Sequence, residues 1–169
     1  MDFPLISERL LLRPFGLGDV AAAHRVYSDE RVMRWVGSGP VVRPEQTEAM
    51  LTGYIRHQER FGFSFWAAIE RSSGELIGDA GLYTRAGEVE LGYTLAEEHW
   101  GKGYGTEAAT VCVHEAFTDL VLPHLDALIR PENEASVAVV RKLGFEESGQ
   151  VVIQGSPHRL FRLRNCADA

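Results

Sequence analysis

Three short stretches of the chain carry residues whose types and spacing can do chemistry. In EHWGKGYGTEAA (Glu98 to Ala109), glycines stand at 101, 103 and 105, and a run of good helix formers begins directly behind them. Glycine costs stability unless the backbone needs positive φ or something must approach it closely. A strand, a glycine turn and a helix in that order place unpaired backbone N–H groups at the positive end of a helix dipole, which is an anion site. The spacing fits neither of two familiar phosphate loops. Lys102 does not complete G-x-x-x-x-G-K-[ST], and the third residue after Gly103 is Thr106 where G-x-G-x-x-G needs glycine. A tight strand-to-helix turn normally needs only two glycines, so the third favours close approach of an anion such as a diphosphate. The second stretch, EVELGYTL (Glu88 to Leu95), precedes this loop and sets Glu88 and Glu90 on one face of a strand by alternation. The third, NEAS (Asn133 to Ser136), joins a standard helix N-cap to a hydroxyl three residues on.

These groups need elements to hold them. ERLLLRPF (Glu8 to Phe15) reads as a first strand. Asp19 can cap a short helix carrying Val20, Ala23, Val26 and Tyr27, and Ser28 or Asp29 can cap a further turn through Met33 and Trp35. Pro44 suits the first turn of a longer helix that Gly62 can stop. FSFWAAIE and LIGDAGLY read as strands joined by RSSGE, with EVELGYTL as the next strand. Behind the glycine loop, Ala109, Cys112, Val113, Ala116, Phe117 and Leu120 keep the rhythm of an amphipathic helix. LDALI (Leu125 to Ile129) is a strand, Asn133 to Phe145 is a helix closed by Gly144, and VVI with HRLFRL forms a final hairpin. The order is that of an α+β, or mixed α/β, fold with one central sheet.

Length and composition set the outer bounds. The chain has 169 residues, 45% of them hydrophobic and 24% charged, which fits one globular domain over residues 1–169. The formal net charge of −7 argues against general nucleic-acid binding. No apolar run is long enough for a membrane span, and the start MDFPLISERL has no signal-peptide pattern. Of two cysteines, Cys112 falls within the helical pattern and Cys166 in the tail, so neither a disulfide framework nor a zinc site is expected, and a reducing cytoplasm fits. No histidine pair of the H-E-x-x-H type occurs, so no metal is expected.

Taken together, W-G-K-G-Y-G-T-E-A after ELGYTL, SERLLLRPF, GELIGDAGL and RPENEASVAVVRKLGF resemble, in the same order, the segments of the GNAT N-acyltransferases, most closely their RimJ/RimL-like branch. Family members usually show Q/R-x-x-G-x-G/A; here Trp100 takes the Gln/Arg place, as is common in this branch. The resemblance covers nearly the whole chain. It implies a mostly antiparallel, twisted central sheet flanked by helices, with acetyl-CoA bound at a splayed strand. The loop of Trp100, Gly101, Lys102, Gly103, Tyr104, Gly105 and Thr106 would hold the pyrophosphate, and pantetheine would lie along the strand end at Tyr93, Thr94 and Leu95. A backbone N–H there would polarise the thioester carbonyl as an oxyanion hole does.

The implied reaction is direct attack of a primary amine, from a protein N-terminus or a small molecule, on acetyl-CoA. Glu90 is the implied base for the amine proton; otherwise it is a solvated strand residue or a charge that attracts ammonium. Asn133 would bond the pantetheine arm as well as cap its helix. Ser136 would protonate the departing thiolate, with Tyr104 as an alternative donor. Cys112, on the apolar face of its helix, is core and not a nucleophile. Trp35, Phe65 and Tyr83 line the acceptor pocket if they are not core, and specificity would lie in loops such as Val36 to Pro44 and Gly155 to His158. The rival readings are a coenzyme-A-binding module without turnover and a transferase of longer acyl chains. Nucleic acid and membrane are not expected partners, and the protein is expected as a monomer or homodimer.

Overall fold

The computed structural model describes residues 1–37, 39–41 and 43–165. Cys166 and two residues of the Val36 to Pro44 loop, Ser38 and Val42, lie outside the described residues. The strands are β1 (Leu5–Ile6), β2 (Leu10–Arg13), β3 (Phe65–Glu70), β4 (Leu76–Arg85), β5 (Glu88–Leu95), β6 (His124–Ile129), β7 (Glu146–Ile153) and β8 (Ser156–Arg164). The helices are α1 (Val20–Tyr27), α2 (Glu30–Met33), α3 (Pro44–Phe61), α4 (Tyr104–Thr118) and α5 (Glu134–Lys142). One sheet runs in the order β1-β2-β3-β4-β5-β6-β8-β7. Its neighbours are antiparallel except β5 and β6, which run parallel and share a single register pair, Glu90 with Asp126. This is the mostly antiparallel α+β sheet expected from the sequence.

Local signals explain most boundaries. Asp29 caps α2 by accepting the Arg31 N–H at 2.9 Å. Pro44 opens α3, and Gly62 stops it with φ +80°. Asp19 does stand at the N-cap of α1, but its carboxylate does not cap that helix. It turns back to Arg13, at 2.7 and 2.8 Å, and to the Gly16 N–H. A bidentate guanidinium is the stronger partner for a carboxylate, and it holds the Asp19 carboxyl below its ordinary range. The strand expected in ERLLLRPF is β2, preceded by the two-residue β1, and it starts only at Leu10, because Ser7 and Arg9 are drawn into contacts with α4.

The two faces of the sheet carry separate cores. On one, α4 lays Ala108, Ala109, Cys112 and Ala116, all fully buried, against β4 and β5. Small side chains let the helix axis come close to the sheet. Burial pushes the Cys112 thiol far above its ordinary range, which leaves it a core residue. On the other face α1, α2 and α3 bury Tyr27, Val32, Met33 and Leu51. His57 of α3 joins this layer to the sheet, bonding Phe63 O through Nδ1 at 2.7 Å and accepting the Thr84 N–H at Nε2. Its ring stacks on Tyr83 at 4.0 Å.

Backbones approach closely where the start of β3 meets β4. A Cβ at Gly81 would stand 2.1 Å from the Ser64 carbonyl oxygen, so only hydrogen fits. Gly81→Ala is therefore expected to push β3 away and to cost at least ~1–3 kcal/mol as overpacking. Urea unfolding checks this, and an unchanged midpoint would contradict the packing described.

Candidate active site

The site begins where β5 and β6 part. After Glu90 and Asp126 the two strands share no further register pair, and a cleft opens between residues 91–94 of β5 and 127–129 of β6, with Arg130 just beyond. Strand edges that no longer pair leave main-chain donors and acceptors facing the gap. The start of α5 closes one side, with Asn133 and Ser136, and the Trp35–Gly37 segment stands across from it. Arg130 ties the walls together by donating to the Gly37 carbonyl at 3.1 Å.

The glycine loop leads from β5 to α4. Gly101 and Gly103 have φ +69° and +85°, the left-handed region that makes glycine the residue of choice. The first backbone bond of α4 runs from the Glu107 N–H to Gly103 O, and none of the N–H groups of residues 101–106 donates to a described backbone acceptor. These six donors sit at the positive end of a 15-residue helix. The turn is braced from behind. Arg9 donates to Lys102 O at 2.9 Å and lies over the Tyr104 ring at 4.2 Å. Its Nε bonds Glu107 at 2.7 Å, and the Ser7 hydroxyl bonds the same carboxylate at 2.7 Å. Trp100 donates its indole N–H to Leu95 O at 2.7 Å, which ties the loop to the strand end. Tyr104 is buried and donates to Glu70 at 2.5 Å, so its hydroxyl is committed within the fold. Gly105 and Thr106 complete the first turn, Gly105 passing under the Tyr93 ring.

Tyr93 reaches between α4 and α5 and donates to the Ser136 carbonyl at 3.2 Å; burial pushes its phenol up to about 12. Asn133 is the α5 cap, accepting the Ser136 N–H at 3.3 Å, and the half-buried Ser136 side chain lines the cleft. Glu90 also lines the cleft, but its carboxylate is held by Arg85 through Nε at 2.9 Å and Nη2 at 3.0 Å. The bond to Glu90 raises the Arg85 pKa, so the guanidinium stays charged. A base role for Glu90 requires Arg85 to let go.

Trp35 and Phe65 line the cleft, as does Tyr54. Tyr83 does not; it stands behind Phe65, stacked on it at 5.2 Å. Sequence reasoning passed over Tyr54, Arg85, Arg130 and, above all, Asp79. Asp79 is 3% exposed at the cleft wall, accepts the Tyr27 hydroxyl at 2.6 Å and stands opposite Thr94 of β5. Desolvation pushes its carboxyl up to about 7. Its folded value lies above the unfolded one, so the stability it lends is full below the ordinary carboxylate range and is lost as pH rises through about 7. The signal was in IGDAG: one charged residue among small and apolar neighbours in mid-strand. Strand pairing also gathers Glu88, His124 and Asp126 at the other end of β5, a grouping that no H-E-x-x-H pattern reveals. There His124 pairs with Glu88 at 2.8 Å, and Arg162 holds Asp126 at 2.6 Å.

Comparisons with known proteins agree with this geometry. Residues 9–146 match the family described as the acetyltransferase (GNAT) domain. The crystal structure of an acetyltransferase from Agrobacterium tumefaciens superposes with a TM-score of 0.84 at 30% identity, over 97% of this chain and 96% of that one. Mycobacterium smegmatis RimJ in complex with CoA-disulfide superposes at 0.76 with 25% identity, over 92% and 81%. The spermidine N(1)-acetyltransferase of Escherichia coli is 28% identical over 86% of this chain and 77% of its own length. A split sheet, a helix entered through bare amides and a match over most of the chain lead to one conclusion: this protein belongs to the GNAT family of acetyl-CoA-dependent N-acetyltransferases.

Proposed function

We propose that residues 1–169 work as one domain that transfers the acetyl group of acetyl-CoA to a primary amine, a protein N-terminus or a small polyamine-like molecule, in the manner of the RimJ/RimL-like branch. The observation that carries this reading is the cleft between β5 and β6: it holds two carboxylates among aromatic walls, and the β5 strand that borders it runs on to the glycine loop and main-chain amides ahead of α4. The amides suit a diphosphate and the carboxylates a cationic amine. That one similar protein is a spermidine acetyltransferase and another a RimJ solved with CoA-disulfide supports both halves.

In this reading pyrophosphate lies on the amides of Gly101 to Thr106. Pantetheine follows the free edge of β5 past Leu95, Thr94 and Tyr93, with Asn133 and the start of α5 opposite. The backbone there steadies the oxyanion as the amine attacks. Ser136, beside the α5 N-terminus, supplies a proton to the thiolate. The half-buried Trp35 and Phe65 receive the acceptor.

The direct test is release of free thiol from acetyl-CoA with a panel of polyamines, amino acids, aminoglycosides and peptide N-termini. Turnover with at least one amine is expected; coenzyme binding with no turnover across the panel would favour a non-catalytic coenzyme-A-binding module. Gly103→Val places a β-branched side chain at φ +85° and within 3.3 Å of the Arg9 guanidinium. It should weaken acetyl-CoA binding at least about tenfold by calorimetry, while left-handed strain costs only ~1–2 kcal/mol of stability. Equal affinity in the folded variant would reject the loop as the phosphate site. Ser136→Ala should lower kcat and leave acetyl-CoA affinity nearly unchanged. The Asn133 cap bonds the Ser136 main chain and not its hydroxyl, so the melting temperature should hardly move. Normal kcat in this variant would remove Ser136 as the acid.

A further inference from the structure

Two carboxylates face the acceptor end of the cleft, and their surroundings differ. Glu90 is neutralised by Arg85, which takes both of its oxygens. Asp79 has no such partner. It lies in mid-strand on β4, opposite Thr94 of β5 and Ala67 of β3. The polar and titratable groups packed around it are Tyr27 from α1, Tyr54 from α3, Thr94 from β5 and, through the sheet, Cys112 from α4. None is cationic, and among the described residues no lysine, arginine or histidine forms an ion pair with it. A carboxylate has about four lone-pair sites, and the Tyr27 hydroxyl uses one. Burying a charge without a counterion is costly, so such a site gains most from a cation that arrives with the substrate.

We propose that Asp79, and not the Arg85-bound Glu90, binds the ammonium group of the acceptor and takes its proton. This inference rests on the amine acetyltransferase reading above. The steps balance as follows. An N–H bond of the ammonium breaks and an O–H bond forms on Asp79, leaving a neutral amine. The nitrogen lone pair forms the C–N bond at the thioester carbonyl, and the C–S bond then breaks with its electron pair going to sulfur. The second proton lost by nitrogen ends on that sulfur, and Asp79 returns its proton to water after the amide departs. Tyr27 holds the carboxylate in place, and its bond favours the charged form.

The base must be ionised while the amine arrives as ammonium. For the wild type, kcat/KM should therefore climb with pH and level off above about 7, where the Asp79 carboxyl titrates. Asp79→Asn should lose ~10²–10⁴-fold near neutral pH. It should also lose the plateau, climbing toward the pKa of the amine itself, because only pre-formed neutral amine can react. Glu90→Gln should keep the plateau. Tyr27→Phe removes a bond that lowers the Asp79 pKa, so the bend should move to higher pH; this variant decides the matter if Asp79→Asn does not fold. A wild-type rate and plateau in Asp79→Asn, or an unmoved bend in active Tyr27→Phe, would overturn the proposal while leaving the enzyme reading intact. A wild type that acetylates no amine in the panel would overturn both.

Discussion

The fold is organised around one failure of strand pairing. β5 and β6 are the parallel neighbours of the sheet, and they meet at Glu90 and Asp126 alone before they separate. Each is well paired on its other side, β5 with β4 along eight positions and β6 with β8 along six. The gap therefore lies between two well-paired halves of the sheet. Main-chain groups along that gap stay open to an extended ligand, which can add to the sheet as a strand does. The crossover through α4 has to begin where β5 ends, so the helix N-terminus falls at the mouth of the gap. Trp100 holds it there through Leu95, and Arg9 with Glu107 holds it from the rear.

On the opposite side Asp79 and Glu90, both buried, stand in the wall of one cleft. Their environments separate their roles. A bidentate guanidinium fixes Glu90 as a charge already answered within the protein. Asp79 is left buried with the Tyr27 hydroxyl as its partner and is pushed up to about 7, a value suited to proton exchange near neutral pH.

Much of this was legible in the residues. The glycine loop was, because left-handed turns and bare amides before a helix leave a direct trace in glycine spacing. The strand EVELGYTL matched β5 end to end, and Pro44 and Gly62 marked α3 at both ends. Asn133 was legible as a cap because capping is local. What lay beyond reach depended on pairing between distant segments. Arg85 bonds Glu90 across a hairpin, and nothing in EVELGYTL announces it. Tyr27 reaches Asp79 from 52 positions away, and Tyr83 proved to back Phe65 rather than face the cleft. Asp19 shows the same limit in miniature, since a strand arginine drew its carboxylate away from the helix it precedes.

The central claim is that the open amides between β5 and α4 hold the coenzyme. Backbone hydrogen exchange, followed residue by residue with and without acetyl-CoA, tests it most directly. The amides of Gly101 to Thr106 should exchange freely in the protein alone and become strongly protected when acetyl-CoA is added, together with those at the free edge of β5. Protection that appeared elsewhere, with residues 101–106 still exchanging freely at saturating acetyl-CoA, would contradict the account.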